Sequence, residues 1–330
     1  MKKVCMLGSG AFGTAMSALL ADNGYQVHMW CHDPCVAESV AKKHCNQPYL
    51  PDAKLSKHII PFRDMGKALE GVTWVFEATP VKFLRSVLEK ASPFFLEDQT
   101  WVVLSKGIEK DTLFFPSQII DDVFDTNVKK AVVSGPSFAK NIALKQLTAV
   151  DVAAEDGNAA KNLQNMLEND YFKTHVTSDI IGVQIGGALK NVVAIAIGML
   201  DGAGYTDNTK AFLFTTCLQE MVTFAKSFTN FFGVKPETLY GLSGIGDLVL
   251  TSMGGLSRNL MVGRHLGLGE KLDDILEKTG AIPEGVNTVK SVYQIIKNKN
   301  IHMPIFQSVY EIIFADKSVD DLVSVLKNSL

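Results

Sequence analysis

Lys190 carries the only formal charge between Ile180 and Leu200, inside the run GGALKNVVAIAIGMLDG that begins at Gly186. An ammonium taken out of water must find partners or give up its proton. Either outcome suits an amine that passes a proton near neutral pH. Hydride delivery to a ketone carbon leaves negative charge growing on oxygen, and a positive proton donor placed at that oxygen stabilises it. Burial and a second cation such as Lys106 would lower the pKa of Lys190 toward neutrality, whereas a hydrogen bond to Asp247 would hold its charge and its direction. Asn191 lies about 100° further round a helix and can serve an adjacent part of the same pocket.

A second group of residues is suited to phosphates. KVCML runs straight into GSGAFG, so Gly8, Gly10 and Gly13 have the G-x-G-x-x-G spacing between a strand and a helix, with Ser9, Ala11 and Phe12 interleaved. The first glycine permits the tight turn, the second admits a pyrophosphate to the backbone, and the third lets the helix pack closely on the sheet. The helix start then offers unpaired N–H groups and a positive dipole end. At the end of the next strand, QVHMWCHDP has Trp30, Cys31 and His32 where an acid would hold an adenosine ribose, and Asp33 comes late. Nothing there excludes NADP and no arginine demands it, so the cofactor is read as NADP or NAD, leaning to NADPH.

Further along, LSKGIEKDT sets Lys106 and Gly107 at the end of one strand, and SGPSFAKNIA sets Gly135, Pro136 and Ser137 at the end of the next. Ligands in doubly wound sheets bind beyond such strand ends. GLSGIGDLVLTSMGGLSRNLMVGRHLG carries Asp247, Thr251, Ser257, Arg258 and Asn259. Arg258 can fork onto phosphate oxygens, and Ser257 stands where a helix beginning at about Arg258 exposes free N–H groups. Taken alone, Asp247 reads also as an N-cap for VLTSM, a role it could play while facing the lysine, and Glu284 in AIPEGVNTVK as a turn residue before the last helices.

These residues need a scaffold in two parts. The first half alternates β-rich runs (KVCML, QVHMW, VTWVFEA, TWVVLS, KAVVS) with helical stretches, the signature of a parallel sheet covered on both faces. LTAVDVAA and YFKTHVTS extend that sheet. After about residue 180 the apolar runs are long and helical in period. The fold class is therefore α/β: a Rossmann-type, doubly wound, mostly parallel sheet in residues 1–183, followed by an all-α domain in 184–330.

Composition narrows the function further. At 330 residues the chain exceeds a single core, and its net charge of −3 gives no nucleic-acid or membrane-surface footprint. Five scattered cysteines form no disulfide framework and point to a reducing compartment, the cytoplasm. The thiols and imidazoles of HMWCHDPC match no zinc spacing, so no metal is expected. Residues 180 to 200 could span a bilayer by length, but Gln184, Lys190 and Asn191 at the middle favour a buried helix and no stable membrane insertion. The long apolar helices at 186 to 232 are compatible with a homodimer and serve equally as an internal core.

GSGAFGTA, SKGI, SGPSFA, GGALKNVVAIAIG, GIGDLVLT, SRN and PEG, in this order and at these separations, resemble the bacterial NAD(P)-dependent glycerol-3-phosphate dehydrogenases over nearly the whole chain. The resemblance implies reversible reduction of dihydroxyacetone phosphate to sn-glycerol 3-phosphate, a phospholipid precursor. Residue by residue it makes Lys190 the proton donor and acceptor, and Lys106, Gly135, Ser137, Asp247, Ser257, Arg258 and Asn259 the substrate contacts. Ala11, Phe12, His32, Lys106, Ala139, Arg258, Ile282 and Glu284 correspond to cofactor contacts. The chain departs from the pattern at the proline of AIPEG, at Glu77 in FEATP and at SMGG before SRN. Two other functions compete: a related β-hydroxyacid or ketopantoate-type reductase, from which the Arg258 loop separates this chain, and a nicotinamide sensor without turnover.

Overall fold

In the computed structural model, which describes residues 1–255, 257–279 and 282–329, the chain divides into two compact units. One comprises residues 1–105 and 116–180, the other residues 106–115 and 181–330. The sequence reading put a single boundary at 183/184; the structure moves it to 180/181 and assigns the segment 106–115 to the helical unit. Long-range contacts hold it there: Ser291 donates its hydroxyl to the Ile108 carbonyl at 3.2 Å, and Phe115 meets the Phe228 ring edge-on at 5.8 Å.

The first unit is built on β1 (Lys3–Leu7), β2 (Gln26–Trp30), β3 (Ile59–Phe62), β4 (Trp74–Glu77), β5 (Thr100–Val103), β6 (Lys129–Ser134), β7 (Thr148–Ala154) and β8 (Phe172–Thr177). They form one sheet in the order β3-β2-β1-β4-β5-β6-β7-β8, parallel except where β6 meets β7. Strands buried on both faces are continuously apolar, as in VCML of β1 and TWVV of β5. β3, IIPF, escaped the sequence reading because it is short and contains Pro61. It is the sheet's edge, where a residue without an N–H is tolerated. The order reverses between β1 and its two neighbours, β2 and β4, so the loop after β1 opens at the topological switch point.

The second unit is all helical among its described residues. Its axis is the Ile180–Gly202 helix, the one described helix long and apolar enough to cross a bilayer; its apolar window is wholly buried against protein. Backbone contact fixes its neighbour, the Arg258–Gly267 helix. A Cβ on Gly198 would come 2.3 Å from the Leu260 oxygen, and one on Gly263 would come 2.1 Å from the Ile195 oxygen. Gly202 and Gly267 repeat the pattern one turn on. The helices touch through backbone, which sets their relative position more tightly than flexible side chains could. Gly263→Ala is expected to destabilise the protein by about 1–3 kcal/mol through overpacking, despite alanine's better helix propensity. A thermal melt reads this as a Tm lowered by several degrees, and an unchanged or raised Tm would contradict the close contact.

Candidate active site

The glycine turn of the first unit has the shape its residues imply. Gly8 sits at φ 116°, and a Cβ there would stand 2.8 Å from the Ala78 oxygen. At Gly13 a Cβ would meet the Gly8 oxygen at 2.2 Å, so larger residues cannot close the turn. Gly10 faces open space. It is the N-cap of the Ala11–Asp22 helix and has no capping side chain, which leaves room for an anion at the first-turn N–H groups. Asn46 braces the loop, donating to the Ser9 carbonyl at 2.8 Å and to the Thr14 hydroxyl at 2.7 Å. No local signal marked Asn46, because its partners are more than thirty residues away. The open space at Gly10 and the uncapped helix start fit a dinucleotide pyrophosphate.

Other predicted residues of this unit lie at strand ends. His32 is exposed just beyond β2, and Ala139 opens the Ala139–Ala143 helix. Gly135 has φ 156°, where a Cβ would come 2.8 Å from the Val150 Cα, and the Ser137 hydroxyl donates to the Gly135 carbonyl at 2.9 Å. Glu77, the departure noted in FEATP, is fully buried at the end of β4. It accepts from the Ser105 hydroxyl at 2.5 Å, the Ser105 N–H at 3.2 Å and the Thr79 N–H at 3.3 Å. Burial pushes its pKa up to about 7 against the pull of those hydrogen bonds. The imidazole of His28 is buried with Nδ1 3.2 Å from the Ala68 carbonyl, an ordinary core contact.

The helical unit gathers the charged residues. Asp247, 1% exposed, receives Lys190 Nζ on Oδ1 and Lys106 Nζ on Oδ2, each at 2.5 Å. Lys190 also donates to the Thr251 hydroxyl at 3.0 Å, and that hydroxyl donates to the Asp247 carbonyl at 2.7 Å. The placement follows from another glycine contact. A Cβ on Gly186 would lie 2.3 Å from the Ser243 oxygen, so the axis helix abuts the π-helical turn Leu242–Gly246. One turn on from each contact residue come Lys190 and Asp247. Asp247 is not an N-cap: it is the first residue of the Asp247–Met253 helix, capped by Gly246, and its carboxylate turns to the lysines instead.

Burial lowers the pKa of Lys190, Asp247 opposes that fall and Lys106 reinforces it; the outcome is about 8. For Asp247 burial acts upward, and the two ammonium groups reverse it, leaving the carboxyl below its ordinary value. An ammonium has three donors. With two on Asp247 and Thr251, the third can meet a substrate oxygen.

Beside this cluster runs a chain of amides. Asn191 accepts from Asn259 Nδ2 at 2.9 Å, and Asn259 Oδ1 accepts from the Gly285 N–H at 3.1 Å. The two asparagines and the 284–299 helix thereby fix one another. Ser257 caps the Arg258–Gly267 helix, accepting from the Leu260 N–H at 3.2 Å, and Arg258 stands exposed at its first position. Glu284 is not in a turn; it opens the Glu284–Lys299 helix, preceded by Pro283 as N-cap and by exposed Ile282. Ala281 of AIPEG and Leu256 before SRN lie outside the described residues. Among the described residues no cluster of three or more metal-ligating side chains occurs.

The family described as NAD-dependent glycerol-3-phosphate dehydrogenase matches by its N-terminal part at residues 3–160 and by its C-terminal part at 179–324. The glycerol-3-phosphate dehydrogenase [NAD(P)+] of Bacillus pumilus is 42% identical over 99% of this chain and 94% of its own length. That of Bacillus subtilis is 40% identical over the same shares. The crystal structure of glycerol-3-phosphate dehydrogenase from Coxiella burnetii superposes with a TM-score of 0.92 at 30% identity, covering 99% of this chain and 98% of the other.

Proposed function

The chain belongs to the NAD-dependent glycerol-3-phosphate dehydrogenase family, and from that premise we propose that it interconverts dihydroxyacetone phosphate and sn-glycerol 3-phosphate with NAD(P)H. The observation that carries the reading is the buried amine of Lys190, held on Asp247 and Thr251 with a pKa of about 8. When bound, the dihydronicotinamide supplies the hydride for the carbonyl carbon. Lys190 gives its proton to the carbonyl oxygen as charge develops there, and takes it back in the reverse direction. Asp247 keeps the amine aimed and offsets its charge. Lys106, on the other oxygen of the same carboxylate, adds positive potential to the oxyanion.

The phosphate is assigned to Arg258 and the start of its helix, where a guanidinium and first-turn N–H groups are offered together. Thr251, Asn191 and Asn259 hold the geometry around the reacting end. Gly135 and Ser137, in the first unit, take their substrate assignment from the resemblance. Ala11, Phe12, His32, Ala139, Ile282 and Glu284 take their cofactor assignment in the same way. The reading makes the product a precursor for phospholipids and the chain a cytoplasmic enzyme, and it allows a homodimer.

Nicotinamide absorbance tests the reading directly. With dihydroxyacetone phosphate the signal should decay steadily, whereas unphosphorylated dihydroxyacetone should give a kcat/KM lower by at least about two orders of magnitude, since a charge-assisted bidentate contact is lost. Equal rates on the two ketones would favour a ketopantoate-type reductase. Cofactor binding without turnover would favour a sensor.

The pH dependence has a definite sign. Reduction uses the ammonium form of Lys190, so its kcat/KM should be flat below about pH 8 and fall about tenfold per unit above it. Oxidation of glycerol 3-phosphate uses the neutral amine and should rise to a plateau through the same region. Profiles in the two directions that bend the same way near pH 8 would remove this group from proton transfer.

A further inference from the structure

We propose that Arg63 is the specificity residue for the nucleotide: it binds an adenosine 2′-phosphate at the end of β2 and makes the site of this chain select NADP(H) over NAD(H). The proposal rests on the reading that the glycine turn holds a dinucleotide, and it concerns a residue that nothing local in the sequence marked.

The sheet register brings the relevant strand ends together. The Gly8 N–H reaches the Trp30 carbonyl at 3.4 Å, and the Cys31 N–H donates to the Phe62 carbonyl at 2.8 Å. The glycine turn and the ends of β2 and β3 therefore form one row. In doubly wound sheets the adenosine ribose lies against the end of the second strand. An acid there holds the 2′-hydroxyl, while a nearby arginine accommodates a 2′-phosphate.

At that place Cys31 is buried and offers no charge. The first acid after β2, Asp33, is engaged as the N-cap of the Pro34–Lys43 helix, where its carboxylate accepts from the Cys35 N–H at 2.8 Å, and Asp64, next to Arg63, is engaged in the same way by the Lys67 N–H at 2.8 Å. Arg63 follows β3 directly and is exposed. Its guanidinium donates from Nη1 to the His32 carbonyl, and its own carbonyl accepts from Trp30 Nε1 at 3.2 Å. Both contacts tie it to the end of β2. A guanidinium has five N–H donors in a fixed fork, so the His32 contact leaves several for a phosphate dianion.

Titration calorimetry with two mononucleotides separates this proposal from the activity. Adenosine 2′,5′-bisphosphate should bind the full-length chain at least about tenfold more tightly than 5′-AMP, as a charge-assisted bidentate contact requires. Arg63→Gln should abolish most of that preference while leaving the Kd for 5′-AMP within about twofold, since the residue is exposed and meets only the 2′ substituent. Equal affinities in the unsubstituted chain, or a preference that survives Arg63→Gln, would overturn the assignment and leave the dehydrogenase reading intact. If neither nucleotide binds, the glycine-turn reading fails and this inference fails with it.

Discussion

Replacing Lys190 with methionine is expected to lower kcat by about 10²- to 10⁴-fold, the usual contribution of a positioned proton donor, with nucleotide affinity essentially unchanged. Methionine keeps an unbranched apolar stem where the lysine stem now lies, so the axis helix retains its packing. Asp247 would still pair with Lys106 at 2.5 Å, and the buried carboxylate would not be orphaned. The protein should therefore melt close to the unsubstituted Tm. Steady-state rates in both directions, together with nucleotide titration, check this. Retention of kcat within about threefold would exclude the amine from the chemistry; loss of nucleotide binding would point to a folding defect instead.

Asp247→Ala should act on both stability and rate. The carboxylate is shared by two lysines whose side chains are 9% and 17% exposed, and its removal takes from both ammonium groups the counter-charge they share. Breaking a buried pair from one side costs about 3–5 kcal/mol, which in a protein of this size lowers Tm by roughly 10 °C. Lys190 can relieve part of that cost by releasing its proton. Asp247 now opposes the fall of its pKa while Lys106 deepens it, so loss of the carboxylate must move the native pKa below about 8. The reduction profile should accordingly break at lower pH in the variant. A Tm within a degree of the unsubstituted protein and an unmoved break would show that Asp247 does not hold the amine.

Two buried carboxylates elsewhere show that charge is not confined to this cluster. Glu77 and Glu220 both have pKa values raised to about 7 by burial, against the pull of hydrogen-bonded N–H groups. Glu220 receives the N–H groups of Ile305 and Phe306 at 2.8 and 3.0 Å at the start of the Pro304–Phe314 helix. It serves as a cap supplied from another helix. Proton affinity shifted by burial thus marks structural groups as well as reactive ones, and at Lys190 it is the convergence with Lys106, Asp247 and Thr251 that points to chemistry.

Much of the molecule is determined by local sequence. The turn at Gly8, Gly10 and Gly13 is legible in its spacing because part of its shape is local, in the positive φ of Gly8 and the approach of Gly13 to the Gly8 oxygen, while the approach of Gly8 to the Ala78 oxygen comes from the sheet. Ser257 caps the helix that begins at Arg258 because a cap and its N–H partner are three residues apart. Lys190 stands out because a lone charge in a long apolar run has to be accommodated. Tertiary structure decided what depends on distant partners. It decided between the two readings of Asp247, cap and lysine partner, in favour of the second, and set Lys106, 141 residues away, on the same carboxylate as Lys190, 57 residues away. It drew residues 106–115 into the helical unit, joined Asn191 to Asn259 and Gly285, and set β3 with Arg63 beside β2. Periodicity and capping are short-range and survive in the one-dimensional pattern. Ion pairs, register and backbone contacts between helices arise only once the chain has closed on itself.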